Sequence, residues 1–186
     1  MKREPAIFCS TAYDDAEFRA HGRTRVQIDG RLLRIDAWGP FNLELVQAQI
    51  RLLRSEVKPL LPLEGGFVEL IHYHDSILMP EPAWQALQSF VDQSAALGFA
   101  AQTTLILLGE EVEGGFMFAE RLASIWARSR PVQVLRRADE LEEALQRVMA
   151  GLPTPGTQAP GHFGLDTSSS AAASELAAQK QPGAAA

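Results

Sequence analysis

FVELIHYHDSILMPEP, residues 67–82, decides the fold. FVELIH has the continuous apolar character of a strand, YHDS is a short polar passage, and ILMPEP leads into a helix. A strand that hands over to a helix through a tight polar turn is the building unit of an α/β domain. In such domains the working surface sits at the end of the strand, on the connecting loop. Asp75 and Ser76 occupy that crossing here, flanked by His74, Met79 and Glu81.

Upstream, residues 25–28 and 31–38 read as two strands joined by Asp29-Gly30, a dipeptide whose tolerance of positive φ suits a type I′ hairpin. Gly39-Pro40 stops the second strand and Asn42 is placed to cap a helix. Leu43, Val46, Ile50, Leu53 and Val57 then share one helical face, and Pro59 ends it. Downstream, Ala83, Leu87, Phe90, Ser94 and Leu97 define a second helix closed by Gly98, and TTLILL, residues 103–108, is a buried strand. A third helix is expected from Glu110–Glu113 onward, its carboxylates at the positive end of the dipole, with Phe118, Leu122 and Ile125 turned inward. Residues 131–135 form the last strand, and Asp139 and Glu142 stand at capping spacing before a closing helix. The order ββαβαβαβα predicts an α/β fold with a mixed, largely parallel sheet of about five strands and about four helices, joined by right-handed crossovers.

The chain has 186 residues, 46% of them hydrophobic, enough for one core and a tail. Residues 1–23 read as a flexible lead, 24–150 as the foldable body and 151–186 as a disordered Ala/Ser/Gly/Pro-rich tail with few large apolar side chains to offset the entropy of ordering it. Within that tail AAASELAAQK has only marginal helical character. A net charge of −6 without a basic face argues against a nucleic-acid partner. The single cysteine, Cys9, excludes an intramolecular disulfide and a cysteine-based structural zinc site. No apolar run is long enough for a signal peptide or a membrane span, so a cytoplasmic protein is expected.

DGRLLRIDAWGPFN (residues 29–42), VELIHYHDSILMPEPAWQAL (68–87) and PVQVLRRADELEEAL (131–145), taken with the element order, resemble STAS-like domains, the anti-sigma-factor antagonist fold. The resemblance is to the divergent bacterial group related to both STAS and CRAL-TRIO domains, and it covers residues 25–149. It implies a non-enzymatic regulatory module that docks a protein partner through its second helix and the neighbouring loops. In the antagonist branch a Ser or Thr after Asp, at the start of that helix, accepts a phosphate. Asp75-Ser76 resembles that pair, and a phosphate there would add about −1.5 to −2 charges. The chain departs from the pattern directly after this pair, with ILMPEP in place of a small Gly-bearing helix start. Ser76 is equally a turn residue bonding nearby backbone.

Other chemistry is sparser. His72 and His74 lie two apart and so share a face of a strand end, where they could ligate zinc or copper with Asp75 or a distant carboxylate completing the set. Spacing indicates no third ligand, and His21 and His162 fall in peripheral segments, so neither metal nor cofactor is expected. Glu110, Glu111 and Glu113 are accounted for by the helix dipole, Cys9 has no histidine beside it, and Trp38, Trp84 and Trp126 read as packing residues. No nucleophile–base or phosphate-loop constellation is present, so no catalytic residue is assigned. Two readings result. One is a partner-docking module contacting its partner through His74, Asp75, Ser76, Met79 and Glu81, with homodimerisation through the edge left by the opening hairpin. The other is a carrier of a small apolar, lipid-like ligand, pointed to by Phe116, Met117 and Phe118 beside Gly114-Gly115.

Overall fold

The computed structural model describes residues 5–13, 19–62, 64–96, 99 and 101–154. Six strands form one sheet in sequential order: β1 (Ala6–Cys9), β2 (Arg23–Asp29), β3 (Leu32–Trp38), β4 (Val68–His74), β5 (Thr103–Leu108) and β6 (Val132–Leu135). β1, β2 and β3 pair antiparallel, and β3 to β6 run parallel, giving the mixed, mostly parallel α/β sheet expected. Four α-helices accompany it: α1 (Leu43–Leu52), α2 (Glu81–Ala96), α3 (Gly115–Ala127) and α4 (Leu141–Ala150).

The strand count differs from expectation because Ala6–Cys9, assigned to a flexible lead, pairs with β2. The opening hairpin is therefore not the sheet edge; β1 covers it. Ser10 fixes this addition, its buried Oγ accepting from the Thr24 backbone N–H at 2.9 Å. The hairpin turn also sits one residue later than Asp29-Gly30. Asp29 pairs with Leu32, and of the two intervening residues Gly30 alone has positive φ (56°). That is the requirement of a II′ turn, which needs glycine only at its first central position.

Sequential parallel pairing with crossovers of one hand stacks the connecting helices on one face. Leu45, Val46 and Leu52 of α1, Trp84, Leu87 and Val91 of α2, and Leu122, Ile125 and Trp126 of α3 share a core with Ile35, Ala37, Ile71, Tyr73, Ile106 and Leu108 of the sheet. α4 follows the last strand and packs on the opposite face, over Leu70, Leu105, Leu107 and Leu135. It leaves that face uncovered across β1 to β3 and at the carboxyl end of β4. Asn42 caps α1 as expected, its side chain accepting from Leu45 N at 3.1 Å. α1 does not stop cleanly before Pro59 but widens into a π-helical turn (Leu53–Val57) that keeps Leu53 and Val57 buried. α3 starts five residues later than expected. Glu110–Glu113 form the preceding loop, and Gly114 (φ 75°) occupies the N-cap position with no capping side chain. The capping role expected of Asp139 is also unfilled, since its carboxylate pairs with Arg137. Leu97 and Gly98, and the tail beyond Thr154, lie outside the described residues. No helix among the described residues is long and apolar enough to cross a membrane.

One buried ion pair ties α3 to the sheet. Glu69 Oε2 on β4 accepts from Arg130 Nη2 at 2.7 Å, Trp126 Nε1 at 3.0 Å and Thr104 Oγ1 at 2.9 Å. Removing one member strands the other charge in the interior. Glu69→Ala should therefore cost about 3–5 kcal/mol in urea unfolding, whereas Glu69→Leu combined with Arg130→Met should recover only part of that loss, because Trp126 Nε1 and Thr104 Oγ1 stay buried without their acceptor.

Candidate functional site at the carboxyl end of the parallel strands

β4 ends two residues beyond the apolar run, so His74 joins His72 in the strand. Parallel register sets Asp36 opposite His72 and Trp38 opposite His74. Side chains alternate along each strand, so Asp36, Trp38, His72 and His74 project from the face that α4 leaves open. Antiparallel register adds Arg25 opposite Asp36 and Arg23 opposite Trp38.

Asp36 is the centre of this patch and is 1% exposed although no helix covers it. Its neighbours' side chains roof it. Arg34 donates through Nη2 to Oδ1 at 3.0 Å and through Nε to Oδ2 at 3.1 Å, and Arg25 Nη2 donates to Oδ2 at 3.2 Å. His74 Nε2 lies 3.3 Å and His72 Nδ1 3.6 Å from Oδ1. The two imidazoles are tilted against each other with centroids 3.8 Å apart, and His74 stacks on Trp38 at 4.7 Å. The Arg23 guanidinium lies over the far side of the patch, 4.7 Å from the Trp38 ring centroid.

Burial alone would raise the Asp36 carboxyl, but hydrogen bonds from Arg34, His74 and Arg25 outweigh it and hold the group below the usual carboxylate range. Burial, and then the adjacent His74, lower the His72 imidazole against the pull of Asp36, which favours its neutral form. His72 Nδ1 is buried without a hydrogen-bond partner. Asp36, His72 and His74 are thereby brought together as three groups whose ligating atoms lie within 4.8 Å of one another. The third member is Asp36 rather than Asp75. The alternation in RLLRIDAW places Asp36 on the face of Arg34 and Trp38, but only the strand register puts it beside His72.

Immediately after His74 the chain turns sharply. Asp75 adopts φ 58°, and Ser76 N donates to His74 O at 2.6 Å. The turn is bonded on both sides: Glu113 N donates to Asp75 O and Ile77 N to Glu113 O, each at 2.9 Å, while Phe41 N donates to Leu78 O at 2.8 Å. A Cβ on Gly39 would overlap the Ser76 carbonyl oxygen, so β3 can leave the sheet beside the turn only through glycine.

The five residues expected to form one contact surface are distributed differently. Asp75 is exposed, but Ser76 is 3% exposed and its Oγ accepts from Leu78 N at 3.1 Å. A hydroxyl so enclosed is a turn-forming group and offers no access to a kinase in this arrangement. His74 belongs to the Asp36 cluster, Met79 packs over the core, and Glu81 is bound by Arg121 Nη2 at 2.7 Å. What the turn does present is the start of α3. Phe116 and Met117 are 93% and 75% exposed, while Phe118 turns in against Trp84 with ring centroids 5.8 Å apart. The apolar trio is thus split, two side chains facing solvent and one facing the core. The void between the sheet and α1/α2, bordered by Ile35, Phe41, Leu45, Ile71 and Phe90, measures about 30 Å³. A lipid-like ligand needs roughly 300 Å³ or more, so this interior void does not hold one, while the clefts of about 330, 320 and 360 Å³ elsewhere are open to the surface.

Comparison with protein-family models, with curated proteins and with solved structures returns no match.

Ser76→Ala, which orphans the Leu78 N–H, should lower stability by about 1–3 kcal/mol. Ser76→Glu should lower it further by forcing a charge into the same buried position. Thermal unfolding of the two variants checks this order, and a Ser76→Glu protein as stable as wild type would show the turn to be open.

Proposed function

We propose that this chain is a non-enzymatic regulatory module that docks a protein partner at the corner where the 75–80 turn meets the start of α3. The observation that carries the reading is the pair Phe116 and Met117, two large apolar side chains held in solvent on a backbone cross-bonded to the turn. Exposed apolar anchors on a rigid frame lose little conformational freedom on binding, and apolar anchors of this kind dominate interface energetics. Exposed Asp75, Glu113 and Glu120 outnumber Arg136, whose Nη1 donates to Gly115 O at 3.4 Å, so the complementary surface is an apolar socket with a mainly basic rim. The likeness of the element order to STAS-like domains supports a regulatory role for such contact, by fold-level analogy.

Site-specific photo-crosslinking in cells tests the proposal. A photoreactive phenylalanine analogue at position 116 should give one discrete adduct, weakened by Asp75→Arg and by raised salt, while the same analogue at Glu143 on the exposed side of α4 should give none. No adduct from position 116, or the same adducts from both positions, would remove the docking corner; an adduct of twice the chain mass would make the partner a second copy.

A further inference from the structure

We propose that Asp36 Oδ1, His72 Nδ1 and His74 Nε2 bind a late first-row divalent cation, zinc foremost. This goes beyond the docking reading and does not depend on it. Two neutral imidazoles and one carboxylate form a donor set suited to zinc and its neighbours. Ligand atoms about 2.0–2.1 Å from a shared tetrahedral ion stand about 3.4 Å from one another. His74 Nε2 and His72 Nδ1 lie 3.3 Å and 3.6 Å from Asp36 Oδ1, so each imidazole stands near coordination spacing from the carboxylate, and all three donor atoms lie within 4.8 Å of one another.

The second observation is the orphaned nitrogen. His72 Nδ1 is buried, has no hydrogen-bond partner among the described residues and lies 3.6 Å from Asp36 Oδ1, beyond hydrogen-bond distance. A buried nitrogen left unpaired carries a desolvation cost that a bound ion removes. Ion binding requires His74 to carry its proton on Nδ1, leaving the Nε2 lone pair for the ion.

Arg25 and Arg34 face the same carboxylate and oppose a cation. Their geometry limits the opposition. Arg25 Nη2 and Arg34 Nε bind Oδ2, the oxygen turned away from the imidazoles, and only Arg34 Nη2 reaches Oδ1. A carboxylate oxygen offers two lone pairs, so Oδ1 can keep Arg34 and still ligate. The arginines then orient the carboxylate as outer-sphere partners commonly do, while their charge keeps the affinity below that of a closed structural site. Three protein ligands leave a fourth position unfilled by the chain, and what is inferred is cation binding itself, with no reaction assigned to it.

The test is calorimetric titration of zinc chloride into the full, untagged chain after chelator stripping. One equivalent should bind, and His72→Gln and His74→Gln should each weaken it by about tenfold or more while His21→Gln leaves it unchanged. Cobalt should give a visible d–d absorption that both variants lose, with circular dichroism confirming that they fold. Asp36 is left intact because its loss would strand two arginines. Absence of zinc binding by the wild-type chain, or binding unchanged in the double histidine variant, would overturn the proposal. Either result leaves crosslinking from position 116 unaffected.

Discussion

The parallel register of β3 on β4 is the constraint on which both functional regions depend. Pairing Asp36 with His72 puts a carboxylate between two imidazoles, and pairing Trp38 with His74 supplies the ring on which the second imidazole stacks. A slip of one residue would turn Ile35 and Ala37 toward solvent and drive Asp36 into the apolar core, at a cost of several side chains' burial. The hydrophobic alternation of β3 therefore fixes the polar cluster without any direct attraction within it being needed. The same register brings Gly39 against Ser76, so the exit of β3 and the turn after β4 are packed as one piece.

The cluster is electrostatically unusual in setting two guanidiniums against a single carboxylate. One carboxylate is met by two guanidiniums and two imidazoles, and its nearly complete burial comes from those side chains rather than from an apolar roof. Arg25 and Arg34 remain partly in water, 50% and 39% exposed, which screens their contribution and makes each surface pair individually weak. Their stronger effect is orientational: three donors leave the carboxylate little freedom to rotate. His72 gains nothing from this arrangement in hydrogen bonding, and it is the single member whose placement packing alone leaves costly.

Much of the architecture was legible in the residues. The opening hairpin, the Asn42 cap, the apolar runs of β4 and β5 and the inward faces of α2 and α3 all rest on local periodicity and turn chemistry, which act within a few residues. Three features were not. β1 is four residues with alternating exposure, too short to show a period, and it is a strand because β2 offers an edge and Ser10 bonds Thr24. The late start of α3 depends on Glu113 pairing with the Asp75 turn, a contact between segments far apart in sequence. Asp36 joined the histidines only through inter-strand register, which alternation restricts but does not specify. Phe116 and Met117 were visible as an apolar group, yet their outward direction depends on where Gly114 lets the helix begin.

The two regions meet at a single peptide. His74 is the last residue of β4 and Asp75 is the left-handed residue next to it, its carbonyl held by Glu113 two residues before α3. The backbone after His74 is joined to the α3 start through hydrogen-bonded groups rather than across solvent. The left-handed conformation of a non-glycine residue carries a local cost, and the bonds from Glu113, Ile77 and Leu78 sustain it. The exposed apolar pair and the histidine cluster are therefore mechanically one corner, stiffened by the buried Ser76 hydroxyl that bonds the turn to itself.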